Sequence, residues 1–479
     1  MKYKFPDNFL WGTAISAFQT EMGTSEDSIS NASDWYVWTH DKDIIRKGLV
    51  SGDLPENGDG FWDLYRTDID NAVSLNNNSI RLSLDWARIF RKQTFDVPSN
   101  IETEAGEIVD VQIPGSGLTL LDKLSDHRAI DHYKDIFEYA RKRGLKVLLT
   151  VYHWPLPIWL HDPVNCHKDI NNCVRKGWID SRIIVEFAKY VEYVSKQFSE
   201  YVDIWETINE PEIISSQGYV FGNTAGFPPG LSDMGLGFTA LKNLALANSI
   251  ATKILKRNDP GKQVGVGINP AYYEAYSEDP ASKMLAGYMK YLNNHWFLNA
   301  AVLGSFDTDM DGNEDVHINA ITPPDYIGID YYQRLIVKYN GNGENFSLSN
   351  LEFMPCHNCT DFMWDIYPSG MRHVLRDNYG TYHKPIYILE NGIADANDAK
   401  RSSFIIDHLK ELWASINEDK LPVKGYFHWT LMDNYEWARG FSMRFGLYEV
   451  DYNTKKRIKR RSADVYARIC KENGLDDTE

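Results

Sequence analysis

Apolar and polar positions alternate between two patterns along this 479-residue chain. Short, nearly continuous apolar runs recur at Phe9–Ser16, Ser79–Trp86, Lys146–Trp154, Tyr201–Asn209, Gln263–Asn269, Asp325–Tyr332, Pro385–Glu390 and Val423–Leu431. Each is bounded by turn residues, which predicts a strand. Amphipathic stretches lie between them. His127–Arg143 carries Ile130, Tyr133, Ile136, Phe137 and Ala140 at the spacing of one helix face. Ser181–Phe198, Gly237–Lys256, Ala281–Val302, Phe404–Ile416 and Ala463–Cys470 follow the same rule. Strands apolar on both faces are covered on both faces. Strand and helix alternating eight times predict an α/β fold, a parallel sheet closed into a (β/α)8 TIM barrel.

No linker interrupts the pattern, so residues 1–479 are expected to form one barrel domain. The polar segments Asp96–Gly117, Asp162–Lys176 and Asn340–Thr360 each follow a strand. Such loops lie on the C-terminal rim of a barrel and are expected to build the active site.

Composition narrows the function. The formal charge of -17 argues against nucleic acid and anionic membrane surfaces. A neutral substrate suits that charge, whereas a phosphorylated one is repelled at long range. The first 18 residues do not read as a signal peptide, because Trp11-Gly12-Thr13 interrupts their apolar run. No window reaches the length of a membrane-spanning helix. The expected location is cytoplasmic, where the sequon Asn345-Phe346-Ser347 carries no weight. Five cysteines are an odd number in a long chain and predict free thiols. Cys356-His357-Asn358-Cys359 resembles half a zinc site, which Cys166 and Cys173 could complete, or a local disulfide, but a lone C-x-x-C is a weak signal.

The chemistry sits at the strand ends. The fourth run ends Thr207-Ile208-Asn209-Glu210-Pro211 and the seventh ends Ile388-Leu389-Glu390-Asn391-Gly392. A carboxylate closing a buried strand is costly unless it has a partner or a shifted pKa. The first run leads to Gln19 and Glu21, the second contains Arg81, and the third ends Tyr152-His153-Trp154. The sixth ends Asp330-Tyr331-Tyr332; the eighth ends His428-Trp429 and leads to Asp433-Asn434-Tyr435-Glu436-Trp437. On one rim these residues predict a pocket of hydrogen-bonding groups and flat apolar faces.

Phe9-Leu10-Trp11-Gly12 with Gln19 and Glu21, both glutamate motifs, and Asp433-Asn434-Tyr435-Glu436-Trp437 resemble, in order and end to end, glycoside hydrolase family 1. The insert after the second strand and the stretch from His153 to His161 look most like its archaeal β-glycosidases. The resemblance implies a retaining exo-β-glycosidase that removes terminal glucosyl, galactosyl or fucosyl units, without cofactor or metal. Glu390 would be the nucleophile and Glu210 the acid/base, with carboxyl groups about 5–5.5 Å apart. Arg81 and the Tyr332 hydroxyl would hold Glu390 ionised, while burial and nearby negative charge would keep Glu210 protonated. Gln19, His153, Asn209, Trp429, Glu436 and Trp437 would contact the sugar, and Trp364 the leaving group. The partner is a small β-glycoside or an oligosaccharide, and archaeal relatives suggest a homo-oligomer.

Plainer readings compete at several positions. Glu206 lies four residues before Glu210, roughly 13 Å deeper, and reads as structural. His153 could be a core histidine, and Trp429 alone could be core. Asp330 stands where the family usually has Asn: it could raise the pKa of Glu390, or pair with Arg81. Asn248 stands near a common helix histidine. The rival functions are a 6-phospho-β-glycosidase, which the carboxylate of Glu436 disfavours, and a non-catalytic sugar-binding barrel, which would have lost a glutamate.

Overall fold

The computed structural model describes residues 3–23, 25–341 and 350–476. The sequon at Asn345 and part of the third polar segment lie outside them. Eight parallel strands close a barrel. They are β1 (Leu10–Ala14), β2 (Ser79–Ser83), β3 (Lys146–Tyr152), β4 (Ile204–Asn209), β5 (Gln263–Ile268), β6 (Tyr326–Asp330), β7 (Ile386–Asn391) and β8 (Val423–Trp429). Each pairs with the next, and β8 returns to β1. One main helix follows each strand: α1 (Phe61–Ser74), α2 (His127–Lys142), α3 (Arg182–Phe198), α4 (Met234–Asn258), α5 (Pro280–Lys290), α6 (Pro368–Tyr382), α7 (Arg401–Asn417) and α8 (Arg461–Glu472). No helix among the described residues is long and apolar enough to cross a membrane.

The strands divide the core into two layers. Leu10, Leu148, Ile204, Tyr326, Leu389 and Phe427 fill the barrel interior. Alternate residues, such as Val147, Leu149, Val264, Val266, Ile327 and Ile329, pack outward against the helices, as the two-residue period of a strand requires. The alternation breaks where the site begins. Register shifts fall between Glu206 and Asn209 on β4 and between Ile388 and Asn391 on β7. Ile208 is buried in the strand–helix core, while Asn209 and Glu210 both face a pocket at the C-terminal rim. Glu390 follows inward-facing Leu389 and still lines that pocket. An irregularity of this kind re-aims a side chain that strict alternation would point away.

Several expectations change. The second and third apolar runs end as strands at Ser83 and Tyr152; Trp86 opens a short helix and is buried core. The predicted Ala281–Val302 helix stops being regular after Lys290, where π-helical turns replace it. Cysteines expected as free thiols form two disulfides, Cys166–Cys173 and Cys356–Cys359, each with Cα atoms at ordinary disulfide separation, 5.0 and 5.4 Å. Cys470 is free and buried. A zinc site on these loops is therefore not formed. Contrary to expectation, none of the described residues of the three polar segments lines that pocket. Residues 96–117 contain the hairpin Asn100–Glu104 and Glu107–Gln112, and residues 162–176 contain the helix Pro163–Lys168; none of them lines it.

Candidate active site

A pocket of about 220 Å³ opens at the C-terminal ends of the strands. Gln19, His153, Asn209, Glu210, Tyr332, Trp364, Glu390, Trp429, Glu436 and Trp437 all line it. Arg81 lies beneath, fully buried. The two glutamates approach from β7 and from just past the end of β4. A carboxylate oxygen of each of Glu210, Asp330 and Glu390 lies within 4.8 Å of the others.

Arg81 organises the floor. Its guanidinium donates to both oxygens of Glu206 at 2.7 and 2.9 Å, to Asn209 Oδ1 at 2.6 Å and to Glu390 Oε1 at 2.5 Å. Glu206 also accepts from the Thr150 hydroxyl. It is structural in the sense that it touches no pocket surface, yet it anchors the cation that Glu390 uses. Gly267 makes room for this cluster: a Cβ there would stand 2.5 Å from Glu206 Oε1.

The surroundings of the two carboxyls differ in kind. Glu390 accepts from Arg81 and, at 2.5 Å, from the Tyr332 hydroxyl. Burial raises its pKa, and these two donors oppose the rise. Among the described residues, Glu210 accepts only from Asn269 Nδ2, at 2.9 Å. Burial first, then the charge of Glu390, holds it well above the ordinary carboxylate range. When the pair carries one proton, that proton resides on Glu210. Glu210 has a left-handed backbone, φ 46°, and caps the short helix Pro211–Ser215.

Asp330 ends β6 fully buried, and neither of its oxygens has a hydrogen-bond partner among the described residues. The Arg81 fork is taken by Glu206, Glu390 and Asn209, so no hydrogen bond from Arg81 reaches Asp330. Burial and then the Glu390 charge keep its carboxyl well above the ordinary range.

The polar wall has an order of its own. Asn209 Oδ1 accepts from Arg81, so its amide nitrogen faces His153 Nε2 at 3.2 Å and donates to it. That assignment puts the imidazole proton on Nδ1, which has no partner among the described residues. Burial, with Arg81 nearby, holds His153 well below its ordinary pKa and neutral. Gln19 Nε2 donates to Glu436 Oε2 at 3.3 Å while its Oε1 accepts from Ser16. Glu436 is pushed up to about 8, by burial and then by Glu390. Trp437 stacks on Phe18, with planes 3° apart, and Trp364 stacks on Phe362 at 4.2 Å.

Other motif residues are structural. Glu21 pairs with Arg88 at 3.0 Å and accepts from Tyr133. Asp433 binds Arg460 and Arg444. Asn248 accepts from Thr207 on the outer face of β4. His428 is buried away from the pocket. Conversely, Asn269, Gln333, Phe362 and Arg439 line the pocket and were not singled out in the sequence. Asn269 directly follows β5, so the strand-end rule reaches it; the other three follow from loop geometry alone.

Comparison with known proteins gives one answer. The family model for glycosyl hydrolase family 1 matches residues 1–100 and 123–475. A β-galactosidase of Saccharolobus solfataricus is 37% identical over 99% of this chain and 96% of its own. The crystal structure of the β-glycosidase from the hyperthermophile Thermosphaera aggregans superposes with a TM-score of 0.91 at 35% identity, over 99% of this chain and 98% of that one. A β-glucosidase mutant derived from a hyperthermophilic tetrameric structure gives 0.89 at 36% identity, over 99% and 97%.

Proposed function

Because the chain belongs to glycosyl hydrolase family 1, we propose that this pocket performs its retaining exo-β-glycosidase reaction with Glu390 as nucleophile and Glu210 as acid/base. The observation that carries the assignment is the asymmetry of two carboxyls whose oxygens lie within 4.8 Å. An inverting pair stands farther apart, about 6.5–9.5 Å, to admit a water.

The terminal sugar sits with C1 between the glutamates. Glu390 attacks C1 while Glu210 gives its proton to the glycosidic oxygen, and the alcohol departs. Glu210, now ionised, takes a proton from water, which attacks C1 from the same side. The sugar leaves with its β configuration, Glu390 returns as the carboxylate, and Glu210 is protonated again. Arg81 and Tyr332 stabilise the Glu390 charge at the start and end of this cycle. His153 Nδ1–H, Gln19 and Glu436 meet the sugar hydroxyls, Asn209 the 2-hydroxyl, and Trp429 and Trp437 its C–H faces. Trp364 lies on the leaving-group side.

The substrate is a neutral β-glucoside, β-galactoside or β-fucoside. We further infer that residues 1–479 act as one barrel domain, since strand β1 and helix α8 close the same unit. A homo-oligomer belongs to this reading, supported by the tetrameric origin of one relative and tested by light scattering. Cytoplasmic action also belongs to it. Disulfides are rare in reducing compartments, so thiol trapping at lysis, with both bridges scored, tests that placement. The activity itself is tested with nitrophenyl β-glucoside, its 6-phosphate, and proton NMR of the first sugar released. Cleavage of the neutral glycoside giving the β anomer is expected. Cleavage of the phosphate alone, an α anomer, or sugar binding without turnover would each overturn the reading.

A further inference from the structure

Asp330 is the carboxyl of the catalytic floor that the mechanism leaves unused. It ends β6, and its Cα pairs with that of Glu390 across β6 and β7. One of its oxygens lies within 4.8 Å of an oxygen of Glu210 and of an oxygen of Glu390. Its Oδ2, Glu206 Oε1 and Asn209 Oδ1 all stand within 3.4 Å of the point where a Cβ on Gly267 would lie. Asp330 is therefore surrounded by acceptor oxygens.

The donors nearby are committed elsewhere. Among the described residues, Arg81 donates to Glu206, Asn209 and Glu390. Thr150 donates to Glu206, Tyr332 to Glu390, Asn269 to Glu210 and Asn391 to the Tyr331 carbonyl. An ionised carboxylate only accepts hydrogen bonds, whereas a protonated one has a donor of its own. In a buried ring of acceptors, the protonated form is the one that finds partners. The charges agree. Asp330 faces Arg81 from β2, Glu206 and Glu210 from β4 and its end, and Glu390 from β7. Tyr326 and Tyr332 face it from its own strand and the turn that follows, and β5 presents Gly267. Four carboxyls thus share the Arg81 guanidinium, whose ion pairs hold two of them, Glu206 and Glu390. Burial and then Glu390 raise the Asp330 carboxyl, Arg81 opposes the rise, and Glu210 and Glu206 add to it.

Resting on the roles proposed for the two glutamates, we propose that Asp330 is a positioning residue that keeps its proton throughout the reaction and turns that O–H toward whichever glutamate is charged. The negative charge leaves Glu390 as the glycosyl ester forms and appears on Glu210 as its proton goes to the departing oxygen. It returns to Glu390 when water attacks. No proton passes to or from Asp330. A neutral donor beside both carboxyls steadies the charge at each end of its path without adding a charge of its own.

Asp330→Asn tests this, because it keeps the shape and an N–H donor but cannot ionise. The infrared difference between wild type and this variant at pH 7 should show the loss of a carboxylic-acid C=O band. Both limbs of the kcat/KM pH profile on nitrophenyl β-glucoside should stay in place, because no charge is removed. An ionised Asp330 would raise both glutamates, and its removal would move both limbs to lower pH. Asp330→Ala should lose about ten- to 10²-fold in kcat on dinitrophenyl β-glucoside, the worth of a hydrogen bond to a charged group, and Asp330→Asn should recover most of that loss. The infrared and pH readings need only the Asn variant, so they decide the matter even where the Ala variant does not fold. No acid band lost, limbs displaced to lower pH, or an Ala variant as fast as the Asn variant would overturn the proposal and leave the roles of Glu210 and Glu390 standing. No turnover of nitrophenyl β-glucoside by the wild type would overturn both.

Discussion

Tyr332→Phe isolates one donor to the nucleophile. The hydroxyl contacts Glu390 Oε2 at 2.5 Å, and the ring packs against Trp364 and Phe445 at 5.2 and 6.2 Å. Phenylalanine keeps that packing, and Arg81 still pairs with Glu390, so no charge is left buried alone. A hydrogen bond to a charged group contributes about 1.5–3 kcal/mol. Glu390 loses its charge as the glycosyl ester forms and regains it as the ester breaks. If half of the bond is regained at the deglycosylation barrier, about 0.75–1.5 kcal/mol is lost, or about 4- to 13-fold in kcat. With dinitrophenyl β-glucoside, whose leaving group needs little acid, KM should fall along with kcat as the ester accumulates. The acid limb of kcat/KM should also move to higher pH. Tyr332 opposes the upward push of burial on Glu390; without it, ionisation requires fewer protons in solution. Unchanged kcat together with an unchanged acid limb would refute this reasoning. So would a loss as complete as removal of Glu390 itself.

Glu390→Gly should abolish hydrolysis, with azide or formate partly restoring turnover and giving the inverted product; wild-type turnover by the pure variant would rule out the nucleophile assignment. Glu436→Ala should lower kcat/KM on β-glucoside by about ten- to 10²-fold, since two hydrogen bonds to the sugar, about 0.5–1.5 kcal/mol each, are lost. The loss should be smaller on β-xyloside, which lacks the 6-hydroxyl, and equal losses would exclude that contact. Asp330→Asn should stabilise the fold at neutral pH. The folded-state pKa of Asp330 is raised, so its contribution is fully present below the unfolded value of about 3.9 and declines as pH rises above it. The variant's Tm advantage should be small near pH 4 and grow toward pH 7; a lower Tm at pH 7 would show that Asp330 has a partner the structure does not contain.

The proposed catalytic residues were legible because burial makes them conspicuous. An apolar run that ends in Glu210 or Glu390 has no cheap structural explanation, and eight such runs specify a barrel. Helices α1 and α6 were harder to see: the first carries Asp63, Asp68, Asp70 and Asn71, and the second Gly370 and Gly380, which weaken the helical signal. The register shifts on β4 and β7 have no compositional trace, so alternation alone would not turn both Asn209 and Glu210, or Glu390 after Leu389, toward one pocket. Pairing of Cys166 with Cys173 depends on how a loop folds back on itself, which spacing does not reveal. Glu206 read correctly as structural, but its bidentate hold on Arg81 becomes visible only when β2 and β4 face each other across the barrel.

The division of labour between the glutamates is tested most directly by the anomeric configuration of the azide product from Glu210→Ala. With a dinitrophenyl β-glucoside, the first step needs little protonation and the ester on Glu390 should form and accumulate. Water then lacks its base, whereas azide needs none and attacks C1 from the vacated side. The account predicts faster turnover with azide and a β-glycosyl azide by proton NMR. An α-glycosyl azide would contradict it, by showing that Glu210 is the nucleophile and Glu390 the acid/base.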